Sequence, residues 1–219
     1  MNTSSRRHFL AVTSLGLLAM QAGALAAEPE PAWQSLFDGK TLTGWKPPGF
    51  SGQGTIEIKN GTMVLGVGSD ITGMNPTIDF PKMNYEIALE AARLDGSDFF
   101  CGLTLPYGKT SFTIILGGWG GALVGLSSIN GDDASENETT KFIKFDKGKW
   151  YKIRARVTAD KIEAWLDDEK IVNVETDGKK IDMRPGEIEL SAPVGIATFR
   201  TEGAFREIKL RKLDAPAAK

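Results

Sequence analysis

Seven carboxylates in the middle of the chain have the type and grouping to do acid–base chemistry: Glu86, Glu90, Asp98, Asp132, Asp133, Glu136 and Glu138. Cleavage of a glycosidic bond ordinarily uses two carboxyl groups, one protonated and one ionised. They stand about 5–5.5 Å apart for retention and about 6.5–9.5 Å apart for inversion. Glu86 and Glu90 are four residues apart in a strand-like stretch, so they share one sheet face, about 13 Å apart along the backbone. Their side chains can lean together as a catalytic pair, although Ala88 stands where a third carboxylate would help. The other reading of the same pair is a solvated sheet face. Asp98 follows in the turn Asp95–Asp98, and Glu90 then faces the middle of the next strand, which makes Glu90 and Asp98 a second, cross-strand pair. Where a neighbouring group acidifies a C–H, one carboxylate base is enough to start an elimination.

A second feature is Gly117-Gly118-Trp119-Gly120-Gly121. Glycines on both sides leave the indole of Trp119 bare, as a plate that stacks on a sugar ring needs; the alternative is a bulged strand with Trp119 folded into the core. The polar loop Ser127–Thr140 follows, and from it Asn130, Asn137 and Glu138 would reach sugar hydroxyls. Trp45 is the best of the other tryptophans for a groove wall. Clustered oxygens in this loop also suit Ca²⁺, but Asp132, Asp133 and Glu136 lack the spacing of a standard calcium loop, so no cofactor and no metal ligand is assigned. Cys101, in an apolar run, reads as a buried inert thiol.

The elements that must position these residues are strands. Thr55–Lys59 and Thr62–Leu65 flank Asn60-Gly61, a strong hairpin signal. In Asn84–Leu94, Tyr85, Ile87, Leu89 and Ala91 alternate with Glu86, Ala88, Glu90 and Ala92. Further strands are expected at Phe99–Leu105, Phe112–Leu116, Ala122–Leu126, Lys141–Phe145, Trp150–Thr158, Lys161–Leu166, Ile171–Val174, Glu187–Leu190, Val194–Phe199 and Ala204–Leu213. Ser69–Pro81, polar and holding two prolines, reads as a loop. Lys152, Arg154 and Arg156 read as a solvated strand face. About a dozen short strands at hairpin spacing predict an all-β sandwich or jelly roll.

The start of the chain resembles an export signal: Arg6-Arg7, then an apolar run from Phe9, then Ala24-Leu25-Ala26. Ser5–Leu10 is of the twin-arginine type. Residues 1–26 are therefore expected to be a cleaved signal, residues 27–213 one domain and residues 214–219 a loose tail. The expected location is the periplasm, the exterior or the cell envelope, with no membrane span left after cleavage. Cleavage removes His8, the sole histidine, so no imidazole serves as base or metal ligand. It also removes two arginines from 26 basic residues, leaving 24 against 28 acidic ones, a balance of −4. That mixed, mildly acidic balance argues against nucleic acid as a partner.

Three places resemble one family, the 3-keto-disaccharide hydrolase domain. Leu36-Phe37-Asp38-Gly39-Lys40-Thr41-Leu42-Thr43-Gly44-Trp45 is similar to its opening signature. Tyr85–Ala91 resembles one of its strands. Val194-Gly195-Ile196-Ala197 with Phe205-Arg206-Glu207-Ile208-Lys209-Leu210 resembles its close. The resemblance implies a concanavalin A-like jelly-roll sandwich of two antiparallel sheets, with a ligand groove on the concave one. It also implies an exported protein acting on glycosides, including ones oxidised to a 3-keto sugar. Here Gly96-Ser97-Asp98 replaces the usual Asn-Ser-Gly, and Ala197–Gly203 lacks the histidine often found near the close. The leading expectation is an enzyme that cleaves 3-keto-glycosides with carboxylates. The alternatives are a carbohydrate-binding module without catalysis and an interaction domain of the cell envelope.

Overall fold

Alternation of apolar and polar residues marks the long strands Tyr85–Gly96 and Trp150–Val157, which bury their apolar faces between two sheets. The computed structural model describes Met1 and residues 31–214. The expected signal after Met1 and the tail after Asp214 lie outside the described residues.

One sheet contains β1 (Gln34–Ser35), β3 (Ile56–Lys59), β4 (Thr62–Leu65), β6 (Tyr85–Gly96), β11 (Trp150–Val157), β12 (Lys161–Leu166), β13 (Glu169–Glu175) and β15 (Thr201–Lys212). Its order is β13-β12-β11-β6-β15-β4-β3, with β1 pairing to β15. The second contains β2 (Trp45–Lys46), β5 (Ile71–Pro76), β7 (Cys101–Tyr107), β8 (Thr110–Gly118), β9 (Leu123–Ser127), β10 (Lys141–Phe142) and β14 (Gly195–Phe199). Its order is β10-β9-β8-β7-β14-β5-β2. Neighbouring strands pair antiparallel throughout. The expected all-β jelly-roll sandwich is the fold of the protein.

The main core lies between the sheets. Tyr85, Ile87 and Leu89 of β6 meet Leu103 and Leu105 of β7 and Ile114 and Leu116 of β8 in it. The Tyr85 hydroxyl donates to the Pro106 carbonyl at 2.7 Å, which satisfies its polar end. Cys101 is fully buried, and burial pushes its thiol far above the ordinary range. A smaller apolar cluster (Ile71, Phe99, Ile115, Leu123, Ala134, Met183, Ile188 and Ala197 among its members) sits on the other face of the seven-stranded sheet.

Two expectations are corrected. Ser69–Pro81 contains a full strand, β5, buried along its length. Its polar side chains reach backbone partners: Thr72 Oγ1 accepts from the Gly54 amide at 2.8 Å, and Asn75 donates through Nδ2 to the Leu190 carbonyl at 2.9 Å, while its Oδ1 is buried without a partner. Glu187–Leu190 is not a strand but part of a 3-10 helix, Glu187–Ser191. The Gly186 amide donates to Glu189 Oε2 at 3.0 Å, and this closes the helix start.

Candidate functional site

The outer face of the seven-stranded sheet has a low floor. Register aligns Gly73, Ala197, Gly102, Ile115 and Gly125 in one row. The next row carries Gly195, Thr104, Thr113 and Ser127. Small side chains let two irregular segments lie directly on the sheet. A Cβ on Gly125 would come within 2.8 Å of the Ala134 carbonyl, so the polar loop needs that glycine. Opposite, the segment Asp182–Pro193 is tied down where Ser111 Oγ donates to the Pro193 carbonyl and the Ser128 amide to the Asp182 carbonyl. Beside the second segment, at residues 184–188, a cavity of about 370 Å³ remains open. Thr113, Ile115 and Ser127 are among its floor residues, with Ile71, Phe99 and Phe199 on the apolar side and Asp98, Trp119, Arg184 and Glu187 as its functional groups. Phe99 and Phe199 stack at 5.8 Å between centroids.

Trp119 sits at the tip of the β8–β9 hairpin. The Gly121 amide donates to the Gly118 carbonyl at 3.1 Å, with Trp119 at φ 48° and Gly120 at φ 88° between them. Positive φ at both central residues is what a type I′ turn requires. For a bulky side chain it costs of order 1–3 kcal/mol, and such strain gathers at binding and catalytic sites. Two groups hold the turn. Asp98 Oδ2 accepts from the Gly120 amide at 3.2 Å, while its Oδ1 accepts from the Phe99 amide at 2.7 Å. From beneath, Arg93 Nη2 donates to the carbonyls of Gly117 (3.2 Å) and Gly121 (2.8 Å). Arg93 is buried against the rings of Phe100 and Phe145, and desolvation lowers its pKa. A Cβ on Gly117 would overlap the Arg93 guanidinium, so that glycine is explained by the arginine. Trp119 itself stays 45% exposed.

The facing wall is charged. Arg184 lies over the Trp119 ring, 5.5 Å from its centroid, and is ion-paired to Asp133. Asp133 Oδ1 accepts from Ser127 Oγ at 2.6 Å and from the Ala134 amide at 2.7 Å. Ser127 therefore gives its proton to Asp133 and keeps its lone pairs for the cavity. Glu187 Oε1 accepts from the Ser51 amide at 3.2 Å. The cavity thus joins an indole face, one guanidinium and two carboxylates, those of Asp98 and Glu187.

Residues 32–211 match the family described as the 3-keto-alpha-glucoside-1,2-lyase-like domain. The chain belongs to this family. The resemblance read from Leu36–Trp45, Tyr85–Ala91 and the close is to the same domain. No curated protein matches the chain. Among solved structures, a Crh5 transglycosylase is similar over 86% of each chain, with 7% identity and TM-score 0.56. The carbohydrate-binding module CBM66 from Bacillus subtilis is similar over 78% of this chain and 96% of its own, with 12% identity and TM-score 0.54. A Bacillus subtilis protein of unknown function with a galectin-like fold is similar over 84% and 97%, with 8% identity and TM-score 0.56. At these identities the likeness is one of fold.

Within this 3-keto-alpha-glucoside-1,2-lyase-like domain the expected site residues separate. Asp98 and Trp119 meet at the cavity. Glu86 and Glu90 share one face, as their spacing predicts, but that face belongs to the eight-stranded sheet, away from the cavity. Glu86 is fully buried and bound by three arginines. Arg154 Nη1 (2.8 Å) and Arg156 Nε (2.6 Å) donate to Oε1, and Arg211 Nε (2.5 Å) donates to Oε2. Burial pushes its carboxyl up, but Arg156 and Arg211 outweigh this and hold it below the usual range. It cannot serve as an acid at neutral pH. Nor are Arg154 and Arg156 merely a solvated face. Glu90 Oε2 is taken by Arg206 Nε at 2.7 Å.

Trp45 is buried in the core, with Nε1 donating to the Leu36 carbonyl at 2.8 Å, and forms no groove wall. Asn137 braces its own loop: Nδ2 donates to the carbonyls of Leu126, Asp132 and Asp133, and Oδ1 accepts from the Thr139 amide and hydroxyl. Asn130 Oδ1 accepts from the Lys180 amide, and Glu138 pairs with Lys179. None of these three lines the cavity. Among the described residues no group of three or more His, Cys, Asp or Glu is placed to hold a metal ion. Arg93, Arg184 and Glu187 were not legible as site residues, because long-range packing alone brings them to Trp119.

Proposed function

We propose that the chain is an exported glycoside-active enzyme that breaks a 3-keto-glycoside by elimination across C1 and C2. The observation that carries the reading is the convergence of Asp98, Arg184 and Glu187 on one cavity beside the half-exposed, strained Trp119. Trp119 stacks on the sugar ring. Asp98 takes the proton from C2, which the adjacent ketone acidifies. The C–H electron pair becomes the C1–C2 double bond as the C1–O bond breaks. Arg184 donates to the ketone oxygen, where negative charge develops. The departing alkoxide takes a proton from solvent, and Asp98 passes the proton it accepted on to solvent. Water is not consumed, and the products are an unsaturated 3-keto sugar and an alcohol. Family membership favours elimination over hydrolysis.

The exposed plate of Trp119 also favours a second reading, a binding module without turnover. One experiment separates the two. The protein is incubated with an aryl 3-keto-glucoside and its unoxidised parent in H₂¹⁸O. Elimination gives release from the keto substrate only, with the unsaturated product and no ¹⁸O incorporated in the bond-breaking step. Asp98→Asn lowers the rate by about 10²–10⁴-fold, the usual contribution of a general base, while Glu90→Gln keeps it. Absence of turnover together with glycan binding that is lost in Trp119→Ala replaces the enzyme with the binding module.

A further inference from the structure

We propose that the outer face of the eight-stranded sheet is a second binding site, for an acidic polysaccharide lying along β6. Because Tyr85, Ile87, Leu89 and Ala91 point into the core, Glu86, Ala88, Glu90 and Ala92 form the midline of the opposite face. On one side β11 sets Arg156, Arg154 and Lys152 opposite Glu86, Ala88 and Glu90. On the other, β15 sets Arg211, Lys209 and Arg206 opposite the same three residues. Two rails of three cations thus flank one strand, roughly 9–10 Å apart by sheet spacing.

Six cations stand against Glu86, Glu90 and Glu207, the last at positive φ in the bulge of β15. Along these three strands that is three more positive than negative charges, in a chain whose net charge is −2; beside them Glu163 of β12 faces Arg156 and is paired with Lys170. The surplus is also fixed in place. The buried Glu86 carboxylate orients three guanidiniums at once, and Arg154 lies over Trp165, 3.6 Å from its centroid. Each guanidinium has five N–H donors. Arg154 and Arg156 each spend one on Glu86, while their side chains stay 34% and 37% exposed. Donors held in position and still reachable form a ready site for carboxylate or sulfate groups. Ala88 and Ala92 leave the midline low between the rails. Trp150, under Arg206 at 4.0 Å, and Trp165 add aromatic surface at the edge. The choice of a polysaccharide over another polyanion rests on the glycoside reading above; the charge site does not.

The test uses the whole protein and the double variant Lys152→Glu/Lys209→Glu, which leaves the Glu86 cluster intact. Binding to heparin and to polygalacturonate is titrated at 50 and 300 mM salt. Dextran, a single-stranded oligonucleotide of matched charge and anionic vesicles serve as competing arms. The expected result is binding to the acidic polysaccharides that weakens with salt, is at least about thirtyfold weaker in the double variant, and is absent for dextran. Turnover of the keto-glycoside stays unchanged in that variant, so failure here and failure of the enzyme reading are seen separately. Absence of salt-dependent binding to both acidic polysaccharides overturns the site. Equal or tighter binding of the oligonucleotide or the vesicles overturns its assignment to a glycan.

Discussion

Replacing Glu86 by glutamine tests how the eight-stranded sheet is held together. The change removes one negative charge and keeps the shape, leaving Arg154, Arg156 and Arg211 around a neutral amide. Removing one partner of a buried ion pair costs about 3–5 kcal/mol. Two of the three arginines are about a third exposed and recover hydration, so we reduce this to about 2–4 kcal/mol. For a domain of this size 1 kcal/mol moves the melting temperature by about 2–4 °C, so about 6–12 °C is expected for a mid-range loss. Glu90→Gln is the control. Its partner Arg206 is more exposed, and the loss should stay within about 1 kcal/mol. Urea titrations of the three proteins at pH 7 measure the difference. The folded-state pKa of Glu86 lies below its unfolded value, so its stabilisation is complete above the unfolded pKa, about 4.3. It is lost as pH falls through the folded pKa. The gap between parent and Glu86→Gln is therefore constant above about pH 5 and narrows in acid. A Glu86→Gln protein within 1 kcal/mol of the parent, or a gap that widens in acid, refutes the argument.

Two other perturbations follow from burial. Cys101, with its pKa pushed far up by desolvation, should not react with a thiol reagent at pH 8 in the native protein and should react fully in 6 M guanidinium; fast native labelling would contradict the packing. Arg93→Met removes charged hydrogen bonds to two carbonyls, each worth about 1.5–3 kcal/mol. We expect a loss of about 3 kcal/mol in urea titrations and red-shifted emission from a protein keeping Trp119 as the only indole in the site. An unchanged spectrum would mean that Asp98 alone holds the turn.

Much of the fold was legible because its longest strands bury one face only. In β11 a period of two separates core from surface, in β6 it separates the core-facing residues from those of the outer face, and Asn60-Gly61 marks its hairpin without any tertiary information. β5 was hidden for a physical reason. It lies between β14 and β2 with segments covering its outer face, so every residue is buried and no alternation survives. Its Thr72 and Asn75 look like loop residues until their partners, Gly54 and Leu190, are known. The 3-10 helix escaped because Ile188 and Leu190 alternate like a strand, whereas Ile188 alone is buried.

The candidate site divides along the same line. Trp119 and Asp98 were legible because local chemistry marks them: four glycines around an indole, and an acid in the turn just before a strand. Glu86 and Glu90 carried an equally strong local pattern, yet alternation says only that two residues share a face. Which face of which sheet meets a cavity is decided by strand order, and strand order depends on contacts more than a hundred residues apart, such as Arg211 with Glu86 and Arg206 with Glu90. The arginines also reverse the chemistry. A carboxylate with three guanidinium partners is a fixed anion, whereas an acid–base group must exchange a proton near neutral pH. Asp98 is held by the backbone amides of Phe99 and Gly120, and a cavity opens beside it. Glycines are ambiguous in the same way. Gly117 suggests close approach of a ligand, but the group that approaches it is the protein's own Arg93, while Trp119 at the tip of the turn stays half-exposed beneath Arg184.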